Sequence, residues 1–181
     1  MRLAGMSSVH SARPRGPDRQ AAVLVPLLRE GGEWHLLFIR RSVEVQDHKG
    51  QVAFPGGAIE TEDADAIAAA LRETREEIGL PESSIRVLGQ MAARTTVTHY
   101  FVTPVVGVIP WPFAVRMQVS EVSRVFTIPL RWLAKPENHT RRDFVRPGGI
   151  RGMVDFFEDY DGELLWGITA AMTLEFLEIV R

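Results

Sequence analysis

Hydrophobic and β-branched residues are grouped in short runs separated by turn residues, and these runs predict β-strands. The first two runs cover residues 21–28 and 34–40, and the Gly-Gly pair between them predicts a hairpin connection at 29–33. Val, Ile, Thr, Tyr and Phe recur in later runs of the same kind. They predict further strands at 51–54, 85–93, 99–109 and 122–128, and a last hairpin from 142–146 and 153–157.

A different periodicity, with apolar residues three and four positions apart, predicts a central α-helix over 64–79. The segment is rich in alanine, and a buried stripe would be formed by Ile67, Leu71 and Ile78. Gly79 stands where a helix C-cap belongs, and Pro81 follows it. The helix is therefore expected to end at Gly79.

The order of these elements predicts an α/β protein. A short helix is expected at 129–133 and an amphipathic one at 169–180. Strands before a central helix, more strands after it and a terminal helix favour a mixed sheet between helices. We expect one domain at 21–181 and a flexible arm at 1–20. The Arg and Ser content of the arm also resembles a weak organellar transit peptide.

Composition excludes several classes of protein. The net charge of −2 and the scattered arginines argue against a nucleic-acid-binding module or a protein drawn to an anionic membrane. No apolar run approaches the length of roughly 20 residues that crosses a bilayer. Cysteine is absent, which excludes disulfides, thiol nucleophiles and thiolate metal sites and fits a cytoplasmic location.

The candidate chemistry lies on the central helix, where Glu73, Glu76 and Glu77 stand at i, i+3 and i+4. That spacing stacks three carboxylates on one side of a helix, where like charges repel. No basic residue at those positions neutralises them. A hard divalent cation, Mg²⁺ or Mn²⁺, would remove the repulsion, because such ions prefer clustered carboxylate oxygens. The pattern predicts metal-assisted chemistry on a phosphate ester.

The region from Gly57 to Leu80 resembles the Nudix box, a glycine loop followed by Arg-Glu-x-x-Glu-Glu-x-Gly and an apolar residue. The helical half matches at Arg72, Glu73, Glu76, Glu77, Gly79 and Leu80. The loop half is one residue longer than in the family, so Asp63 or Asp65 would supply the acid that orients the helix arginine. The resemblance implies a Nudix fold, an α/β/α sandwich with a mixed sheet.

A second resemblance is to the coenzyme A (CoA) diphosphatase branch of this family. It is carried by Arg41-Ser42, by the stretch from His48 to Gly57, and by the segments 103–107 and 165–170. The branch has an arginine where this chain has Gln46, which would reduce or redirect affinity for CoA. The resemblance implies cleavage of CoA or acyl-CoA to 3′,5′-ADP and 4′-phosphopantetheine.

The family resemblance also implies roles for individual residues. The carbonyl of Gly57 would join Glu73, Glu76 and Glu77 in binding Mg²⁺ or Mn²⁺, which would lower the pKa of an attacking water. The proton would pass to Glu73 or to an acid on a later loop, for which we select Glu121. The same resemblance assigns Arg72 to holding a carboxylate rather than substrate.

Residues for substrate recognition are less sharply marked. Arg41, His48 and Lys49 lie near the glycine turn and are candidates for contacting a nucleotide phosphate, with plain loop residues as the alternative. A second basic region, expected to be a solvated hairpin face or a 3′-phosphate contact, consists of Arg141, Arg142, Arg146 and Arg151. Rival functions are hydrolysis of ADP-ribose, NADH or a nucleoside triphosphate, and catalytically silent nucleotide binding. A homodimer is a further expectation.

Overall fold

The computed structural model describes residues 19–45, 48–96, 99–145, 149 and 151–181. The strands are β1 (Arg19–Glu30), β2 (Glu33–Arg41), β3 (Val52–Ala53), β4 (Gly56–Ala58), β5 (Arg86–Gln90), β6 (Arg94–Thr95), β7 (Tyr100–Val108), β8 (Val122–Pro129), β9 (His139–Val145) and β10 (Arg151–Phe157). The helices are α1 (Ala66–Ile78), α2 (Leu130–Leu133) and α3 (Gly167–Ile179). Most of the predicted arm, Gln46, Arg146 and the turn residues 147–148 lie outside the described residues.

Strand β1 is the centre of a mixed sheet. It pairs in parallel with β7 and antiparallel with β2 and β4, while β8 and β3 pair with β2, and β5 and β6 pair with β7. The predicted first hairpin is confirmed: Glu30 lies opposite Glu33, so the turn is the Gly31-Gly32 pair alone. Strand β1 begins at Arg19, two residues before the predicted start of the domain.

The sheet has a hydrophobic core on each face, which confirms the α/β/α sandwich. Side chains in a strand alternate between the two faces. On β2, Leu36 and Phe38 pack in the core that contains α3, whereas Leu37 and Ile39 pack in the core that contains α1. Since burying each such side chain contributes roughly 1.5–3 kcal/mol, the alternation determines which face each helix covers.

Helix α1 begins two residues later than predicted and ends as predicted. Asp65 is extended, and its carboxylate accepts a hydrogen bond from the Ala68 N–H at 2.8 Å, so it is the N-cap. Gly79 has a φ of 74° and donates its N–H to the Arg75 carbonyl, which completes the predicted C-cap. The buried Ala69 and Ala70 allow α1 to lie close against the sheet.

One of the later strands differs from the sequence prediction. The strand predicted at 85–93 is shorter: β5 contains a register shift against β7 between Val87 and Gly89 and ends at Gln90, and the chain pairs with β7 as a strand again at β6. The last hairpin is confirmed as β9 and β10, which form a separate two-stranded sheet. Within the described ranges, no helix is long and apolar enough to cross a membrane.

Candidate active site

The glycine turn before α1 brings main chain into direct contact with two glutamates. Gly56 has a φ of 152°, and a Cβ there would lie 2.3 Å from the Ala22 carbonyl oxygen, so only glycine fits against β1. A Cβ on Gly57 would lie 2.5 Å from Oε1 of Glu73. The two glycines therefore allow β4 to pair with β1 and to pack against the carboxylates of α1 at the same time.

Glu77 is a buried acid with an unusual proton affinity. Its side chain is 2% exposed, and Oε2 accepts a hydrogen bond from the Gly56 N–H at 2.9 Å. Burial raises the pKa of Glu77 to about 8, although this hydrogen bond and the positive charge of Arg41 act in the opposite direction. Burial also raises the pKa of Glu73, against the influence of Arg72. Both acids occupy an environment in which a negative charge lacks full compensation.

Arg72 connects the loop before α1 to two of the glutamates. Its Nε and Nη2 donate to the two carboxylate oxygens of Asp63 at 3.0 and 2.9 Å, and Nη2 also donates to the Ala58 carbonyl. Its Nη1 donates to Glu73 at 3.0 Å and to Glu76 at 3.1 Å. Of the two acids predicted to orient Arg72, Asp63 does so, whereas Asp65 caps the helix.

The expectation that no basic residue neutralises the glutamates is therefore wrong for Glu73 and Glu76. Glu76 is 48% exposed and lies between Arg72 and Arg75, with ion pairs of 3.1 and 3.2 Å. Among the residues described, no three acidic or histidine side chains are grouped closely enough to form a ready-made metal centre. Glu73 and Glu77 line one cavity, and Glu76 is not among the residues that line it.

Glu121, the acid selected on a later loop, lines the same cavity as Glu73 and Glu77. Main-chain hydrogen bonds hold it there. The Gln118 N–H donates to the carbonyl of Glu77 at 2.9 Å, the Glu121 N–H donates to the carbonyl of Gln118 at 2.8 Å, and the Ser42 N–H donates to the carbonyl of Glu121 at 2.7 Å. The negative charge of Glu121 contributes to the raised pKa values of Glu73 and Glu77.

The three candidate residues for phosphate contact are placed differently. Arg41 lines the cavity, and its Nε is buried with no hydrogen-bond partner among the described residues. His48 also lines the cavity, and its Nδ1 lies 3.0 Å from Oε1 of Gln51. Lys49 is exposed and does not line the cavity. An unpaired buried N–H is costly, so Arg41 is the residue of the three with the strongest physical need for an anionic partner.

Sequence reasoning missed the part of the cavity formed by other elements. The cavity has a volume of about 340 Å³ and is also lined from β1, β7 and α3 by Ala21, Val23, Tyr100, Val102, Ile168, Thr169 and Met172. The sequence around these residues does not indicate a site, because mostly apolar residues in strands and helices are typical of a hydrophobic core. The one available signal was the resemblance of 165–170 to the CoA diphosphatase branch.

The acidic end of the cavity fits a divalent cation by its chemistry. The side chains of Glu73 and Glu77 supply carboxylate oxygens, the ligands that Mg²⁺ and Mn²⁺ prefer, and Glu121 lines the same cavity. The raised pKa values of Glu73 and Glu77 indicate that their ionised forms lack compensation, which a cation would provide.

The described arginines of the last hairpin do not line this cavity. Arg142 stacks over the ring of Phe156 at 5.4 Å and pairs with Glu158 at 3.6 Å. Arg141 pairs with Asp155 at 3.7 Å. Arg141, Arg142 and Arg151 are exposed and do not line the cavity, which is compatible with the expected solvated hairpin face.

Comparison with known proteins gives consistent matches. A family model described as the NUDIX domain matches residues 18–146. The chain is 43% identical over 158 residues to a protein of Escherichia coli K12 named uncharacterized Nudix hydrolase NudL, covering 87% of this chain and 80% of that protein.

Solved structures share the fold at low sequence identity. A MutT/nudix family protein from Enterococcus faecalis superposes with a TM-score of 0.59 at 14% identity, covering 94% of this chain and 65% of that one. The Nudix hydrolase RenU from M. smegmatis has a TM-score of 0.54 at 20% identity, covering 65% and 74%. A C. elegans Ap4A hydrolase has a TM-score of 0.52 at 19% identity, covering 62% and 81%.

Proposed function

Because this chain belongs to the Nudix hydrolase family, whose members cleave phosphorus-containing anhydrides, we propose that it hydrolyses the pyrophosphate bond of CoA or acyl-CoA. The products would be 3′,5′-ADP and 4′-phosphopantetheine or its acyl derivative. Membership of the family makes the chain a hydrolase of pyrophosphate bonds in nucleoside diphosphate derivatives, and CoA is one such derivative. The proposed setting is the cytoplasm.

One observation carries the choice of CoA. Two of the segments that resemble the CoA diphosphatase branch are far apart in sequence, yet both line the cavity that contains the acids. The segment from His48 to Gly57 contributes His48 and residues 51–54 to the cavity lining. The segment 165–170 contributes Ile168 and Thr169. Residues more than a hundred positions apart that share a subfamily pattern and a cavity support a common role in recognising one substrate.

Nudix hydrolases generally need a divalent cation, and here the residues proposed to hold Mg²⁺ or Mn²⁺ are Glu73, Glu76, Glu77 and the Gly57 carbonyl. When bound, the ion would neutralise charge on the pyrophosphate oxygens and activate a water. Glu76 would join the other ligands by exchanging its contacts with Arg72 and Arg75. Arg72 would keep Glu73 in place through the hydrogen bond from its Nη1.

Glu121 and Arg41 are proposed to act on the water and on the substrate. The Glu121 carboxylate would take the proton of the attacking water, because its loop places it beside Glu73 and Glu77 in the cavity. The buried Nε–H of Arg41 would donate to an oxygen of the pyrophosphate, which would satisfy the group that lacks a partner. Arg41 would thereby place positive charge where negative charge develops during cleavage.

Product analysis tests this proposal against its rivals. Purified protein with Mg²⁺ or Mn²⁺ is incubated with CoA, acyl-CoA, ADP-ribose, NADH and nucleoside triphosphates, and the products are separated by chromatography. We expect 3′,5′-ADP from CoA. AMP from ADP-ribose with CoA left intact would reject CoA as the substrate.

Catalytically silent nucleotide binding is the alternative from another class, and the ion pairs of Glu76 favour it. Glu76→Gln separates the two functions, because cleavage through a metal held by Glu76 should be lost. Calorimetry of Mg²⁺ binding to both proteins provides a second readout. Cleavage that is unchanged in Glu76→Gln would reject the assignment of Glu76 to the metal, and no cleavage of any pyrophosphate by the wild-type protein would favour the silent binder.

A further inference from the structure

The charged side chains that line the cavity come from three parts of the structure. Among the described residues that line it, every acidic, basic or histidine side chain comes from α1, from the end of β2 and the loop after it, or from the loop before β8. These residues are Arg41, His48, Glu73, Glu77 and Glu121. The residues contributed by β1, β7 and α3 carry no formal charge.

Helix α3 contributes uncharged side chains to the wall of the cavity. Ile168 and Met172 are four residues apart, so they lie on one face of α3, and both belong to or pack against the core on that side of the sheet. Met172 is 2% exposed and Ile168 is partly buried. An unbranched thioether adapts its shape to a flexible apolar ligand more readily than a branched side chain does.

The two halves of CoA differ in charge, as do the lining residues from α1, β2 and the loop before β8 and those from β1, β7 and α3. The 3′,5′-ADP half carries two phosphate groups, whereas the pantetheine arm beyond the pyrophosphate is neutral, flexible and partly apolar. Burying phosphates against uncharged side chains is costly, and burying a neutral arm there is favourable. We propose, resting on the function proposed above, that the pantetheine arm lies against Ile168 and Met172 and that the nucleotide half lies at the end lined by Arg41 and His48.

Two features of the uncharged residues from β7 and α3 favour the opposite orientation of the substrate. They define the alternatives to be tested. Tyr100 offers an aromatic ring on which an adenine could stack. Ile168 and Thr169 lie in the first turn of α3, where main-chain N–H groups attract anions. Either alternative would place the nucleotide half, rather than the pantetheine arm, against α3.

Binding of each half of the substrate, measured separately by ligand-observed NMR and calorimetry, distinguishes these arrangements. The probes are S-hexanoylpantetheine, which is neutral and has no phosphate, and adenosine 3′,5′-bisphosphate. In Ile168→Glu we expect the affinity for S-hexanoylpantetheine to fall by about tenfold. The affinity for the bisphosphate should fall by a smaller factor, because solvent ions screen the new charge with distance. The matched control is Leu164→Glu, since Leu164 is exposed and does not line the cavity.

Ile168→Ala provides a second variant that introduces no charge. It removes side-chain volume and so enlarges the cavity beside α3. The ratio of kcat/KM for a long acyl-CoA to kcat/KM for CoA should therefore rise by about tenfold. Loss of bisphosphate binding with intact pantetheine binding in Ile168→Glu would overturn the proposed orientation, as would a wild-type protein that binds no S-hexanoylpantetheine. Failure to cleave CoA would instead overturn the proposed function, because the NMR measurement does not depend on hydrolysis.

Discussion

Asp63 and Arg72 are joined by two parallel hydrogen bonds, Nε to Oδ1 at 3.0 Å and Nη2 to Oδ2 at 2.9 Å. The carboxylate of Asp63 is nearly buried, with 5% of its side chain exposed. This pair attaches the loop after β4 to the arginine that also contacts Glu73. The geometry of the acidic end of the cavity therefore depends on a residue that does not line it.

Asp63→Asn should destabilise the protein by about 1–3 kcal/mol, because an amide cannot accept both hydrogen bonds and Arg72 loses its charged partner. Chemical denaturation at pH 7 measures the free energy of unfolding. Asp65→Asn is the matched control, since asparagine caps a helix about as well as aspartate. Equal stability of the two variants would contradict the role of the Asp63–Arg72 pair.

The penalty of Asp63→Asn should depend on pH. The hydrogen bonds from Arg72, assisted by the Glu60 N–H, lower the pKa of Asp63 below its ordinary value of 3.8. A lowered pKa in the folded state means that the pair stabilises the protein above pH 3.8 and that this contribution is lost as the pH falls through the folded-state value. The difference in unfolding free energy between wild type and Asp63→Asn should thus be full at pH 7 and shrink in acid. A constant difference would contradict the ion pair.

Glu121→Gln should lower kcat by about 10²–10⁴-fold with a small change in KM, because glutamine cannot accept the proton of the attacking water. Steady-state kinetics on the substrate found by product analysis provides the measurement. Glu62→Gln is the control, since Glu62 is an exposed acid that does not line the cavity. If kcat in Glu121→Gln stayed within about twofold of wild type, another group would be the base.

Arg41→Lys should raise KM by about tenfold or more even though the positive charge is kept. Lysine ends in an ammonium group and lacks the planar guanidinium group of arginine. It therefore cannot replace the buried Nε–H of Arg41. The control is Lys135→Met, which removes a half-exposed charge outside the cavity. Unchanged KM in Arg41→Lys would show that the buried Nε does not contact substrate.

Gly57→Ala should mainly lower activity, whereas Gly56→Ala should mainly lower stability. A Cβ on Gly57 meets the carboxylate of Glu73, the end of a side chain that can move, so kcat/KM should fall by about 10²-fold with a stability change within about 1 kcal/mol. A Cβ on Gly56 meets the main chain of β1, so the protein should lose more than about 2 kcal/mol of stability. Kinetics and thermal unfolding of both variants test the pair; a stable, fully active Gly57→Ala would contradict the contact with Glu73.

Much of the fold follows from local patterns. The alternation of apolar residues predicts the β1–β2 hairpin, and the Gly31-Gly32 pair supplies the turn between its strands. The helix spacing and Gly79 predict α1 and its end. Such features depend on neighbours a few residues away, which the sequence displays directly. The strand predicted at 85–93 was less accurate because its register depends on β7, a partner that local patterns do not contain.

By itself, the sequence determined the class of the fold, the positions of the glutamates along α1 and the glycine turn that meets them. Only the tertiary structure decided that Asp63 rather than Asp65 pairs with Arg72, and that Glu76 turns to the arginines while Glu77 is buried. It also decided that Ile168 and Met172 complete the cavity from the far end of the chain. The physical reason is that spacing along a helix is a local property, whereas burial, ion-pair choice and cavity shape arise from packing between segments distant in sequence.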